Sequence, residues 1–318
     1  MYEKVLEAAK RLEGVAHKTP VLTSTLLNEK TGNQIYLKCE NFQRGGAFKF
    51  RGAYNAISSL NPEVRKKGII AFSSGNHAMA TALTCEIFGV PAMIVVPDDV
   101  AKVKMDTIKY YGATVVTFDR AKETREVALK RQIDKYGYTF IPPFDHENVV
   151  AGQGTIAKEL IEEVGELDYV FAPCSGGGLL SGTVVSAKHL LPECKVIGVQ
   201  PEQADYTVRA FKTGIIQRMD NVQTVADGLR GACVGNFTFE IIKKMVDDLL
   251  TVSESEIIDT MYYLWTRLKI IVEPAGGVGL APLLHDKLDI KGKRIGIIVS
   301  GGNVDVRKCG ELFANVCS

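Results

Sequence analysis

Short, mostly apolar runs rich in β-branched residues recur through the chain, separated by helix-length amphipathic stretches. The runs are 68–72 (GIIAF), 92–96 (AMIVV), 114–118 (TVVTF), 169–172 (YVFA), 196–199 (VIGV) and 294–299 (RIGIIV). Because they lack apolar–polar alternation, they suit strands buried on both faces, as in parallel sheets. Helical segments are predicted at 79–88, 102–111, 122–136, 155–164, 180–190 and 255–268. Strand and helix in repeated succession predict a doubly wound α/β arrangement. The chain has 318 residues and is 46% hydrophobic, roughly twice the length of a typical domain. Two open-sheet domains with a ligand cleft between them are therefore expected. The Pro-rich segment 141–155 (IPPFDHENVVAGQGT) reads as the connection between the two units.

A formal net charge of +1 argues against nucleic acid or an anionic membrane as the main partner, since both select clustered positive charge. Cysteines 39, 85, 174, 194, 233, 309 and 317 are dispersed, with no CxxC pair and no zinc-type spacing. That pattern fits reduced thiols better than a disulfide framework. The opening MYEKVLEAAKRLEGV reads as a charged amphipathic helix rather than a signal peptide, and no run is long and apolar enough for a membrane span. A cytoplasmic protein is expected.

In open α/β sheets, ligands sit beyond the carboxyl ends of the strands. Three predicted strand exits combine serine, glycine and a small polar residue: SSGNH at 73–77, CSGGGLLSG at 174–182 and SGGN at 300–303. The triple glycine ahead of a helix exposes backbone N–H groups to the helix's positive end, a cradle suited to phosphate. It matches neither the P-loop nor the dinucleotide spacing, and taken alone it also reads as a tight turn. SSGNH also reads as a helix cap, a lone His77 as a structural residue, and Glu273 in VEPAGGVG as an acidic residue at a helix start.

Residues 45–55 read GGAFKFRGAYN. Lys49 stands there between two phenylalanines, with glycines before it. By itself this reads as a surface patch of cation and ring. Set against a phosphate cradle across a cleft, it reads as a desolvated amine, with a lowered pKa, holding a phosphorylated aldehyde as a Schiff base.

The motifs FQRGGAFKFRGA, SSGNHA, AGQGT, SGGGLLSG, EPAGG and SGGN follow in this order along nearly the whole chain. Together they resemble the pyridoxal-phosphate-dependent serine/threonine dehydratase family, which includes serine racemase and has the tryptophan-synthase-β-like fold (fold type II). The resemblance implies a large cofactor-binding domain of residues 1–52 and 148–318 and a small mobile domain of 53–147. It implies pyridoxal 5'-phosphate on Lys49, Phe48 against its ring, Asn76 on its 3-hydroxyl and Ser300 at its pyridine nitrogen. Ser175, Gly176, Gly177, Gly178 and Leu179 would grip its phosphate, and Glu273 would border it. Ser73, Ser74, Gly75 and His77 would receive the substrate carboxylate, with Ser74 as a second proton carrier opposite Lys49.

The implied reaction is α,β-elimination from L-threonine or L-serine to a 2-oxo acid and ammonia, by a homodimer. Within the family, serine racemase and 3-hydroxyaspartate dehydratase are the alternatives; the latter needs an added cation, for which Arg125 and Arg230 are candidates. A two-lobed, non-catalytic small-molecule binder is the alternative from another class. Serine racemase also implies a divalent-cation site, but Gln200 and Tyr206 stand where carboxylates would be needed and Ala204 offers only a carbonyl; Glu202 or Asp205 could substitute only with a shift of register, so no metal is expected. Met79 replaces the glutamine that usually follows NHA.

Overall fold

The computed structural model describes residues 1–100 and 102–314; Cys317 lies outside them. The strands are β1 (Val21–Leu22), β2 (Gln34–Cys39), β3 (Ile69–Phe72), β4 (Ala92–Pro97), β5 (Thr114–Phe118), β6 (Thr139–Phe140), β7 (Tyr169–Pro173), β8 (Lys195–Pro201), β9 (Asp248–Val252) and β10 (Arg294–Val299). They form a six-stranded sheet, ordered β1-β2-β10-β7-β8-β9, and a four-stranded sheet, ordered β5-β4-β3-β6. Every pairing is parallel except β1 against β2.

Burial on both faces explains the absence of alternation in the strand sequences. Phe171, Ile295 and Ile297 face one core, whereas Val170, Ala172 and Ile298 face another on the opposite side of the larger sheet. Likewise Ile69, Ala71 and Ile94 lie on one side of the smaller sheet, and Ile70, Met93 and Val95 on the other. Strands β1, β2, β6 and β9 were not among the predicted ones. β1 and β6 have two residues each, and β2 and β9 carry polar residues among their apolar ones.

Segment 141–155 is only partly a connection. From Glu147 it enters an 18-residue helix, Glu147–Val164, so AGQGT is helical. Its glycines serve close packing. A Cβ at Gly182 would lie 2.5 Å from Gly154 N, and one at Gly152 would lie 2.7 Å from Gly52 Cα. This helix thus seats two others, Lys49–Ser58 and Gly178–Leu190. The first begins at the bracketed lysine and the second at the triple glycine.

The described cysteines (39, 85, 174, 194, 233 and 309) are free thiols, all but Cys233 buried. No described helix is long and apolar enough to cross a membrane.

Candidate active site

The exits of β3, β7 and β10 open on one cavity of about 750 Å³. Its walls include Phe48 and Lys49; Ser73, Ser74, Gly75, Asn76 and His77; Arg125; Ser175 through Leu179; and Glu273 and Ser300. Every residue singled out for chemistry in the sequence therefore meets at one place, although the outermost, Phe48 and Ser300, are far apart in the chain.

Lys49 is the first residue of its helix. Its Nζ donates to Pro143 O at 2.7 Å and lies 4.9 Å from the Phe48 ring centroid. The cation–ring pair expected of a surface patch is present, but inside the cavity. Burial lowers the Lys49 pKa to about 8, because the charged amine loses hydration without gaining a carboxylate partner. The loop carrying Lys49 is fixed to the β10 exit: Phe48 N donates to Ser300 O at 3.0 Å, and Ala47 bridges Gly301.

Across the cavity, Gly177 has φ +93° and caps the Gly178–Leu190 helix. The first N–H groups of a helix have no intrahelical acceptor, so the end of this one presents donors to the cavity. Gly176 O is held from behind by Thr238 Oγ1 at 2.6 Å. Ser300, 3% exposed, has its Oγ 3.4 Å from Ala275 O, so its hydroxyl is only weakly engaged.

Asn76 begins the Asn76–Phe88 helix. Its Nδ2 donates to Glu273 Oε1 at 2.7 Å, and its Oδ1 accepts from Asn303 Nδ2 at 3.0 Å. Asn303 is not among the expected site residues: SGGN stands out as a serine–glycine–polar exit, and nothing local pairs its asparagine with residue 76. His77 donates from Nε2 to Ile141 O at 2.9 Å. Burial, and secondarily the Lys49 charge, outweigh that bond and bring the His77 pKa down to about 3, so the ring is neutral at physiological pH. Ser73 Oγ accepts from Gly75 N at 3.2 Å, and a Cβ at Gly75 would meet nothing within 4 Å; the loop faces open space.

The arginines differ. The Arg125 guanidinium lies 4.4 Å from the Phe72 ring centroid and pairs with Glu126 at 2.7 Å. Arg230 borders the cavity but directs Nε to Thr224 O at 2.8 Å, and Nη2 to the same carbonyl.

A family model described as "Pyridoxal-phosphate dependent enzyme" matches residues 12–301. The chain belongs to this family. It is 48% identical over 313 residues to an L-threo-3-hydroxyaspartate ammonia-lyase of Saccharomyces cerevisiae, covering 98% of this chain and 96% of the relative. An L-threonine ammonia-lyase of Thermotoga maritima is 44% identical over 315 residues, covering 98% and 77%. The crystal structure of serine racemase from Dictyostelium discoideum superposes with a TM-score of 0.90 at 45% identity, covering 96% of this chain and 99% of that one. The protein is thus a fold type II enzyme whose cofactor is pyridoxal 5'-phosphate, and the cavity fits that group: an amine poised near neutrality, a glycine cradle at a helix start, and a weakly engaged hydroxyl.

Proposed function

We propose that the protein is an ammonia-lyase that eliminates water from small L-3-hydroxy amino acids, L-threonine and L-serine among them, releasing a 2-oxo acid and ammonia. The observation that carries this reading is the Lys49 amine, with a pKa of about 8, facing the triple-glycine cradle in a cavity lined by Ser300. Pyridoxal phosphate, when bound, would supply electron withdrawal from the substrate's Cα–H bond; Ser300 would sit at its ring nitrogen, and a hydroxyl there would not enforce protonation as a carboxylate would, so the withdrawal would be moderate. Lys49 Nζ, which holds the cofactor at rest, takes the Cα proton once substrate is in place. Moderate withdrawal favours loss of the β-hydroxyl together with that proton. Ser175 through Leu179 would hold the phosphate and Phe48 would pack beside the ring. Asn76, locked between Glu273 and Asn303, would have its remaining amide hydrogen available for the ring hydroxyl. Ser73, Ser74, Gly75 and His77 receive the substrate carboxylate at the start of the Asn76–Phe88 helix, where N–H groups favour an anion. Ser74, returning a proton from the face opposite Lys49, gives a racemase side reaction. The four-stranded sheet lies wholly within 53–147, and that unit closes on substrate to exclude water.

The decisive assay is 2-oxo acid release from L-threonine, L-serine and L-threo-3-hydroxyaspartate, with chiral analysis of the unreacted serine. Release from none of the three would overturn the proposal; D-serine formed faster than pyruvate would make the enzyme a racemase first. A second reading, preference for 3-hydroxyaspartate, is favoured by the Arg125 guanidinium on the cavity wall and by the kinship with a hydroxyaspartate ammonia-lyase. Losing one charge-assisted hydrogen bond costs about 1.5–3 kcal/mol, so Arg125→Gln should lower turnover of hydroxyaspartate by at least about tenfold and leave threonine little changed. Equal losses would place Arg125 on the carboxylate that all three substrates share.

The pH dependence of cofactor capture is a separate check. Only the neutral amine is a nucleophile, and its fraction grows as pH rises through its pKa. The rate at which the apoprotein takes up pyridoxal phosphate should therefore climb with pH and level off above a midpoint near 8, followed by the visible absorbance of the lysine–pyridoxal Schiff base. A midpoint at the ordinary lysine value of 10.5 would mean that the amine is fully hydrated.

A further inference from the structure

The phosphate cradle is itself anchored by a residue outside the cavity lining. Beyond β8 the chain turns into the Tyr206–Thr213 helix. The Gln200 side chain, fully buried, accepts from Thr207 N and Val208 N at 3.0 Å each and so fixes where that helix starts. Thr207 Oγ1 donates to Ser175 O at 2.8 Å. Tyr206, 0% exposed, brings its hydroxyl to 2.6 Å from Ser175 Oγ and 3.4 Å from Leu229 O. Gly231 completes the enclosure, because a Cβ there would lie 2.8 Å from Ser175 Oγ and would also meet the Tyr206 hydroxyl. Three loops, the exits of β7 and β8 and the segment 227–231, thus meet at one phenol.

The hydroxyls share few protons. Burial raises the Tyr206 pKa well above the ordinary phenol value, so the phenol keeps its single proton. That proton points either to Leu229 O, a long contact, or to Ser175 Oγ, a short one. In the second arrangement a lone pair of Ser175 is occupied, and its own proton is free to point into the cradle. A phosphate group offers only acceptors under these conditions, and its presence selects that arrangement.

We propose that Tyr206 is a positioning residue for the cofactor phosphate: by donating to Ser175 Oγ it turns the Ser175 hydroxyl into a donor toward the cradle. The inference rests on the reading that residues 175–179 hold the phosphate. It can be tested on the full-length apoprotein, titrated with pyridoxal phosphate and separately with pyridoxal, which lacks the phosphate. Tyr206→Phe removes the proton and keeps the ring. It is expected to weaken pyridoxal phosphate binding by about tenfold, the equivalent of one hydrogen bond to a charged group, with pyridoxal affinity unchanged. The loss in kcat at saturating cofactor should be far smaller than the loss in affinity. In a Ser175→Ala background the same substitution should add nothing.

Equal affinities of wild type and Tyr206→Phe for pyridoxal phosphate would overturn the inference. So would equal weakening toward both ligands, which is the signature of a general packing defect. If wild type itself shows no preference for pyridoxal phosphate over pyridoxal, the underlying assignment of the cradle fails instead. Should Tyr206→Phe not fold, Ser175→Ala alone decides: it must lose affinity for pyridoxal phosphate and not for pyridoxal, and unchanged affinity for both overturns the proposal.

Discussion

Lys49→Ala is expected to lower 2-oxo acid release by about 10⁴-fold, the upper end of what one positioned proton-transfer group contributes. Two roles are lost together. On the proposed mechanism the amine at position 49 is both the nucleophile that holds the cofactor and the base over Cα. Its lowered pKa, about 8, suits it to both, since a substantial fraction is neutral near physiological pH. Substitution by arginine should not restore activity, because a guanidinium stays protonated even where burial opposes its charge and cannot act as a nucleophile. Activity should be measured with cofactor in excess, so that weak retention is not mistaken for lost chemistry. Borohydride reduction of wild type, followed by peptide mass analysis, should place the cofactor mass on the peptide containing Lys49. A variant within tenfold of wild type, or a label on another lysine, would remove Lys49 from the mechanism.

The second large effect concerns stability. Within the Lys49 helix itself, Arg51 is fully buried and bonds Glu40 through two contacts of 2.8 Å each. It also bonds both oxygens of Glu159, at 2.5 and 2.8 Å, and Thr155 Oγ1 at 3.2 Å. Lys38, equally buried, reaches Glu159 at 2.8 Å and Thr19 O at 2.7 Å, and Thr19 Oγ1 donates to Glu40 at 2.6 Å. Burial opposes the Arg51 charge, and Glu40 and Glu159 more than offset it, so the guanidinium pKa is raised.

Removing one partner from such a set leaves a buried charge uncompensated, at a cost of about 3–5 kcal/mol. Arg51→Ala should therefore lower the urea midpoint sharply, or yield no folded protein. Arg51→Met with Glu40→Met removes the fully buried pair together, and it should be less destabilised than Arg51→Met alone. If the double variant is the less stable of the two, uncompensated charge is not the dominant cost. The network also sets an acid limit. Burial would raise the Glu159 pKa, but Arg51 and Lys38 outweigh it and hold it below the ordinary 4.5. The folded state gains from this above that value and loses it as pH falls through the depressed one.

These two predictions differ in how far the sequence foretold them. Lys49 stands out for its bracket of phenylalanines and glycines within a few residues, and setting it against the triple-glycine motif, also visible in the sequence, turns a surface-patch reading into a desolvated amine. Nothing local distinguishes Arg51, two residues on, from a surface arginine. Its partners come from positions 40, 155 and 159, and only the packing of the Glu147–Val164 helix against the Lys49 helix unites them. The glycines of AGQGT that permit this packing read as part of a connection, since close approach of two backbones is a property of both helices and is written in neither alone.

What the amino-acid order determined unaided was whatever depends on near neighbours: strands buried on both faces, Ser- and Gly-rich exits, a triple glycine at a helix start, and one lysine without a carboxylate beside it. Tertiary structure alone decided which exits share a cavity, that Asn303 clasps Asn76 across 227 positions, that four charged side chains neutralise one another under the site, and that a phenol at 206 stands behind Ser175. The physical reason is range. Backbone preference and hydrophobic period act over a few residues, whereas desolvation, ion pairing and hydrogen-bond direction depend on which distant segments the sheets bring together.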